Sequence, residues 1–164
     1  MTIKLCKKIL ENLSKVVNDR FSEATPAPSK PLQELNDLEH SRRTIEGAAK
    51  LTETSYDHVN SQISKIKQFQ AKHNDATTAT QDANQISIDA CKLTIDTNDL
   101  IIAIAIANNL KGFAHSTATS NIIAKNNLRK LEKQTGLGAD GLDLRCTKDN
   151  IQGEIDIHAN MDLA

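Results

Sequence analysis

Residues 93–110 read Leu93-Thr94-Ile95-Asp96-Thr97-Asn98-Asp99-Leu100-Ile101-Ile102-Ala103-Ile104-Ala105-Ile106-Ala107-Asn108-Asn109-Leu110, the most apolar stretch of the chain. The run Leu100–Ala107 admits two readings. Ile102, Ile104 and Ile106 alternate with alanine, and β-branched residues suit strands. Asn98-Asp99 and Asn108-Asn109 flank the run like turn residues. Helical spacing nevertheless continues on its N-terminal side through Ala79, Ala83, Ile86, Ala90, Leu93 and Thr97, and onward through Leu100, Ile104 and Ala107. Helix is the reading that keeps one period throughout. An element apolar on every side has to be buried on every side, so the stretch is expected to be the axis of a helical assembly.

Upstream, Leu35, Leu38, Arg42, Ile45, Ala49, Thr52, Tyr56, Val59, Ile63, Ile66, Gln70 and His73 follow a heptad schedule without a skip. This is a helix–helix seam, in which the polar members Arg42, Thr52 and Gln70 are expected to set register. His73 reads as a terminal polar residue. His73-Asn74-Asp75 reads as a helix break, with Asp75 able to cap the next helix. Downstream, Gly112 marks a kink or a turn into a last helix carrying Phe113, Ala114, Ala118, Ile122, Leu128 and Leu131. Lys125, Arg129, Lys130 and Lys133 crowd its C-terminal turns, where they complement the helix dipole, and Gly136 supplies a stop.

The two ends of the chain differ from this middle. Ile3, Cys6, Leu10, Leu13 and Val17 form the stripe of an amphipathic helix, and residues 1–20 carry a net charge of +3. Three prolines, Pro26, Pro28 and Pro31, then impose an extended linker. At the other end the period changes to two. Leu142, Leu144 and Cys146 alternate with polar residues, as do Ile151, Ile155 and Ile157, and Thr147-Lys148-Asp149-Asn150 lies between the runs. That pattern predicts a β-hairpin with one apolar face. The expected organisation is an amphipathic helix over 1–23, a Pro-rich linker over 24–31, a long-helix bundle over 32–135, and a Gly-rich joint with a β-hairpin over 136–164. The fold class is mainly α, with long antiparallel helices in a bundle or coiled-coil arrangement.

Composition bounds the function. The chain has 164 residues and a formal net charge of −1, which gives no strong field toward nucleic acid. Residues 136–164 carry −4 against the +3 of the N-terminal segment, so the ends attract one another weakly in salt. Three Phe, one Tyr and no Trp leave little of the aromatic bulk that lines ligand pockets. Thin helix–helix seams suit such a chain better than an enzyme interior, and a non-enzyme is expected. Cys6, Cys91 and Cys146 are far apart and form no C-x-x-C pair, so neither a disulfide framework nor a zinc motif is expected.

The remaining motifs carry no catalytic chemistry. Gly136-Leu137-Gly138-Ala139-Asp140-Gly141 matches G-x-G-x-x-G by letter, but a dinucleotide loop must follow a strand and open a helix. Here it follows a helix, so a flexible joint is expected. Asp140, Asp143, Asp149 and Asp156 lack calcium-loop spacing. His40, His58, His115 and His158 show no metal pairing at i, i+4. No catalytic, cofactor-binding or metal residues are therefore assigned. The residues expected to matter are the seam positions Leu35, Leu38, Ile45, Tyr56, Val59, Ile63 and Ile66, through which the chain self-associates or holds a protein partner. The second reading is a membrane-active helical protein that uses residues 93–110 and the basic N-terminal helix, a membrane partner being admitted but not favoured. No signal peptide is evident, so the expected location is cytoplasmic, or exported without a cleaved signal. A secreted effector or a virion component would have the same composition.

Overall fold

A computed structural model of the chain describes residues 32–73, 83–134, 136 and 144–159. The expected N-terminal helix, the Pro-rich linker, Cys6, Asp75 and most of the glycine-rich joint lie outside these residues. Among the described residues there are five helices: α1 (Gln33–Thr52), α2 (Tyr56–His73), α3 (Ala83–Ala107), α4 (Lys111–Gln134) and α5 (Lys148–His158). The apolar stretch is helical, as its flanking period requires, and it forms the C-terminal half of α3.

α3 packs against all four other helices. Cross-helix pairs give the directions. Glu34–Ser87 and Ser41–Asn98 advance together, so α1 runs parallel to α3. Gln70–Glu39 and Lys67–Glu46 run in opposite senses, so α2 is antiparallel to α1. Cys91 donates to the carbonyl of Ala124 while Asp99 accepts from Asn121, so α4 is antiparallel to α3. The result is two three-helix groups, α1–α2–α3 and α3–α4–α5, sharing α3. That sharing explains why Ile101, Ile102, Ala103, Ile104 and Ala105, which occupy every side of the helix, are all buried. Each fully buried isoleucine contributes about 2–3 kcal/mol of transfer free energy.

The small residues expected on α3 allow close approach. Ala83, Ile86 and Ala90 are buried there, while Thr94 and Thr97 return their hydroxyls to the carbonyls of Ala90 and Leu93. Two buried amides also join the seam: Gln62 donates to Thr97 at 2.9 Å, and Ser41 donates to Asn98 at 3.1 Å. Two of the polar heptad positions make cross-helix or charge contacts. Arg42 and Gln70 meet on one carboxylate, Glu39, which ties α1 to α2. His73 at the helix end sets its ring against Phe69, with centroids 4.6 Å apart and the planes tilted by 55°.

The heptad schedule does not produce one unbroken helix. It is interrupted at 53–55, where Glu53 and Ser55 have φ of 51° and 49°. Thr52, Thr54 and Ser55 are poor helix formers whose hydroxyls compete for backbone carbonyls; Thr52 bonds Ala48 and Thr54 bonds Thr52. The apolar phase survives the break because both helices turn the same stripe toward α3. At the same end, Asn109 takes φ 56° and closes α3. Its N–H bonds the carbonyl of Ile106, and that of Leu110 bonds Ala105, the paired bonds of a Schellman motif. Asn108 reaches across to Thr54 at 3.2 Å and joins the two turns. α4 ends as expected, with Gly136 at φ 75° bonding back to Lys133.

The C-terminal β-hairpin is not formed. Residues 144–147 carry no regular structure, and α5 follows them; no strand occurs among the described residues. Thr147-Lys148-Asp149-Asn150 is a helix start rather than a hairpin turn. Thr147 is extended (φ −84°, ψ 159°), its Oγ1 accepts the N–H of Asn150, and Asp149 lies in the positive first turn. The buried face of α5 is Ile151, Glu154 and His158, with Ile155 partly buried beside them, while Ile157 is 67% exposed. The alternation misled because two inward positions are polar. Leu144, expected to face inward, is exposed, and its backbone exchanges two hydrogen bonds with the Asn126 amide.

Candidate functional site

The most concentrated chemistry among the described residues lies where α5 docks on α3 and α4. α3 supplies Asp99. α4 supplies Asn121 and Lys125, four apart on one face, and α5 supplies Glu154 and His158 with the same spacing. Ile102, Ala118, Ile122 and Ile151 form an apolar cluster at the same three-helix contact, which keeps α5 in place.

The geometry is tight. Lys125 Nζ donates to both oxygens of Glu154 at 2.7 and 2.9 Å. The Asn121 amide donates to Asp99 Oδ1 and Glu154 Oε1, both at 2.7 Å. His158 Nε2 lies 3.0 Å from Asp99 Oδ1 and 3.5 Å from Glu154 Oε1, yet it makes no hydrogen bond to either. Glu154, Asn121 and His158 are buried; Asp99 and Lys125 keep partial access to solvent. Burial pushes the Asp99 carboxyl up. The nearby His158, the Asn121 amide and Lys125 pull it down, and Glu154 pushes it further up. Two carboxylates around one lysine leave an excess negative charge unless His158 is protonated or another cation is present.

From the sequence Asp99 reads as a turn residue, whereas it lies within α3, and Lys125 reads as a dipole-complementing cation. It is instead spent on Glu154. The signal that was available is Glu154-x-x-x-His158, an acid and a histidine one helical turn apart. Reading 151–158 as a strand puts both on its polar, solvent-facing side, whereas in α5 both point inward.

The seam residues pack largely within the chain. Leu38, Ile45, Val59 and Ile66 are fully buried between α1, α2 and α3 of one chain. Leu35 and Ile63 pack partly buried against the same clusters, and Tyr56 is 45% exposed. Cys91 is buried and its thiol is pushed up to about 12, by desolvation first and then by the carboxylates of Glu34, Asp37 and Glu132. Cys146 is exposed. His115 lines a cleft of about 430 Å³ between the α3–α4 turn and α5, together with Ile106, Leu110, Lys111, Ala114 and Ile155. No helix among the described residues is long and apolar enough to cross a membrane.

These features define a class: a mainly helical bundle in which, among the described residues, α5 is fastened by a buried acid–histidine–lysine cluster. Comparison with protein families, with curated proteins and with solved structures yields no match.

Proposed function

We propose that the chain is a non-catalytic structural protein that pairs with a second copy of itself. The seams expected to carry association are occupied internally, so the contact is placed at the cleft beside α5. One observation carries this reading. Ile157, 67% exposed, stands on the same helix as the cleft walls Ile155 and Asp156. A two-fold contact requires a self-complementary patch. Ile157 is an exposed apolar knob outside the lining of that hollow, and Lys111 on one helix and Asp156 on the other line the hollow. In such a pair Ile157 of each copy fills the cleft of its partner, and Lys111 meets Asp156 across the axis. The near-neutral chain and its thin aromatic content support an assembly role over nucleic-acid binding or catalysis.

Light scattering of the full chain across a concentration series tests this. The expected result is a dimer mass that falls to the monomer in Ile157→Glu, with the helical spectrum unchanged. A monomer at every concentration, or a dimer indifferent to Ile157→Glu, overturns it. The membrane-active alternative needs Leu100–Ala107 released from the centre of the bundle, where Ile102 and Ile104 are fully buried. Flotation with liposomes would detect it.

A further inference from the structure

We propose that Asp99, Glu154 and His158 form a binding site for a first-row divalent cation of the Zn²⁺ class, with Asn121 as the fourth donor. One ligand atom from each of the three lies within 4.8 Å of the others. A tetrahedral site with bonds of ~2.1 Å has donor–donor edges of ~3.4 Å. The two separations from His158 Nε2, 3.0 and 3.5 Å, bracket that edge. The four donors come from three helices, α3, α4 and α5, whose positions are set independently of the ion by the apolar cluster beneath.

Two orphaned atoms point to a ligand beyond the acidic pair. His158 is 7% exposed, and its Nε2 faces both carboxylates without a hydrogen bond to either. Asn121 is fully buried, and its Oδ1 has no partner, although its Nδ2 sits 2.7 Å from an oxygen of each acid. An amide's oxygen and nitrogen exchange places by a half-turn. That turn would bring the unused Oδ1 to face Asp99 and Glu154, an arrangement repulsive without a cation between them and favourable with one. Neutral imidazole with carboxylate and amide oxygens suits zinc, cobalt or nickel better than calcium or magnesium, which prefer all-oxygen shells. The partly exposed Asp99 and Lys125 mark the entry side. Lys125 is the competitor, because it already neutralises Glu154. Occupation of the site therefore requires its ammonium to swing toward solvent, which its one-third exposure permits.

The test uses the full chain with Cys6→Ser and Cys146→Ser, so that neither of these thiols holds metal. Zn²⁺ affinity is measured by competition with a chromophoric chelator, and Co²⁺ absorption reads the donor set. One equivalent is expected, with a Co²⁺ spectrum lacking thiolate charge transfer and a melting temperature that rises with added Zn²⁺. Asp99→Asn and His158→Gln should each weaken binding at least tenfold. Lys125→Met should tighten it at least tenfold, and that gain keeps the test decisive if a ligand variant fails to fold. No uptake, or uptake indifferent to these substitutions, would mean an ion-pair latch only and overturn the proposal. The site does not depend on dimerisation, since no residue of the partner copy contributes to it.

Discussion

Lys125 Nζ on α4 grips both carboxylate oxygens of Glu154 on α5, at 2.7 and 2.9 Å, and only the lysine end of the pair reaches solvent. The pair joins the shortest helix of the described chain to the bundle. Removing either partner leaves the other in a medium that solvates charge poorly, and the two losses are unequal.

Lys125→Met strands a carboxylate that is 6% exposed and should cost about 3 kcal/mol, within the range for breaking a buried pair. Glu154→Gln should cost less, because Lys125 can turn outward. The double variant Lys125→Met with Glu154→Leu should recover most of the loss. Urea midpoints at constant slope, combined as a double-mutant cycle, check all three.

Val59→Glu with Ile66→Glu distinguishes an internal seam from an external one. Both side chains are fully buried, so the pair should abolish the helical spectrum rather than dissolve an assembly of folded chains. A folded, dissociated protein would place the seam between chains.

Thr147→Ala tests the start of α5. Loss of the Oγ1 bond to Asn150 should cost about 1 kcal/mol, the usual size of an N-cap. Hydrogen exchange should show the loss concentrated in residues 148–158.

The thiols should separate by reactivity. With its thiol pushed up to about 12, Cys91 stays protonated near neutral pH, and the thiolate is the reactive form. Alkylation at pH 8 followed by peptide mapping should find exposed Cys146 modified within minutes and Cys91 modified only in denaturant.

Acid stability should depend on Glu39. The hydrogen bond from Arg42, aided by Gln70 and Arg43, brings its carboxyl down from 4.5 to about 2. Between those values the unfolded chain holds the extra proton, so stability rises with pH there. The contribution is complete above about pH 4.5 and is lost as pH falls toward 2. Its size is small, because the network is partly solvated. Glu39→Gln should flatten this part of the denaturant-midpoint profile while leaving neutral-pH folding intact.

Much of the architecture is legible in the residue order because burial follows periodicity. Ala83, Ile86, Ala90, Leu100 and Ile104 recur at helical spacing and are buried. Asn108-Asn109 has the turn character that the Schellman closure of α3 uses. The heptad schedule of 35–73 identifies the inward stripe correctly but not the turn at 53–55, since α1 and α2 present one phase to a common neighbour. In the C-terminal segment hydropathy fails for a specific reason. Glu154 and His158 occupy inward positions of α5, so Ile151, Ile155 and Ile157 alternate with polar residues on both faces and mimic a strand.

The order of residues alone determined a helical chain with α3 at its centre, because only a helix surrounded by others can bury an apolar run on every side. Tertiary structure alone decided the cluster. Asp99, Asn121, Lys125, Glu154 and His158 lie on three helices, and beyond the one-turn spacing of Glu154 and His158 nothing local marks them as partners. Their polar side chains are tolerated inside because packing Ile102, Ile122 and Ile151 brings each to groups that satisfy most of its charge and hydrogen-bonding capacity.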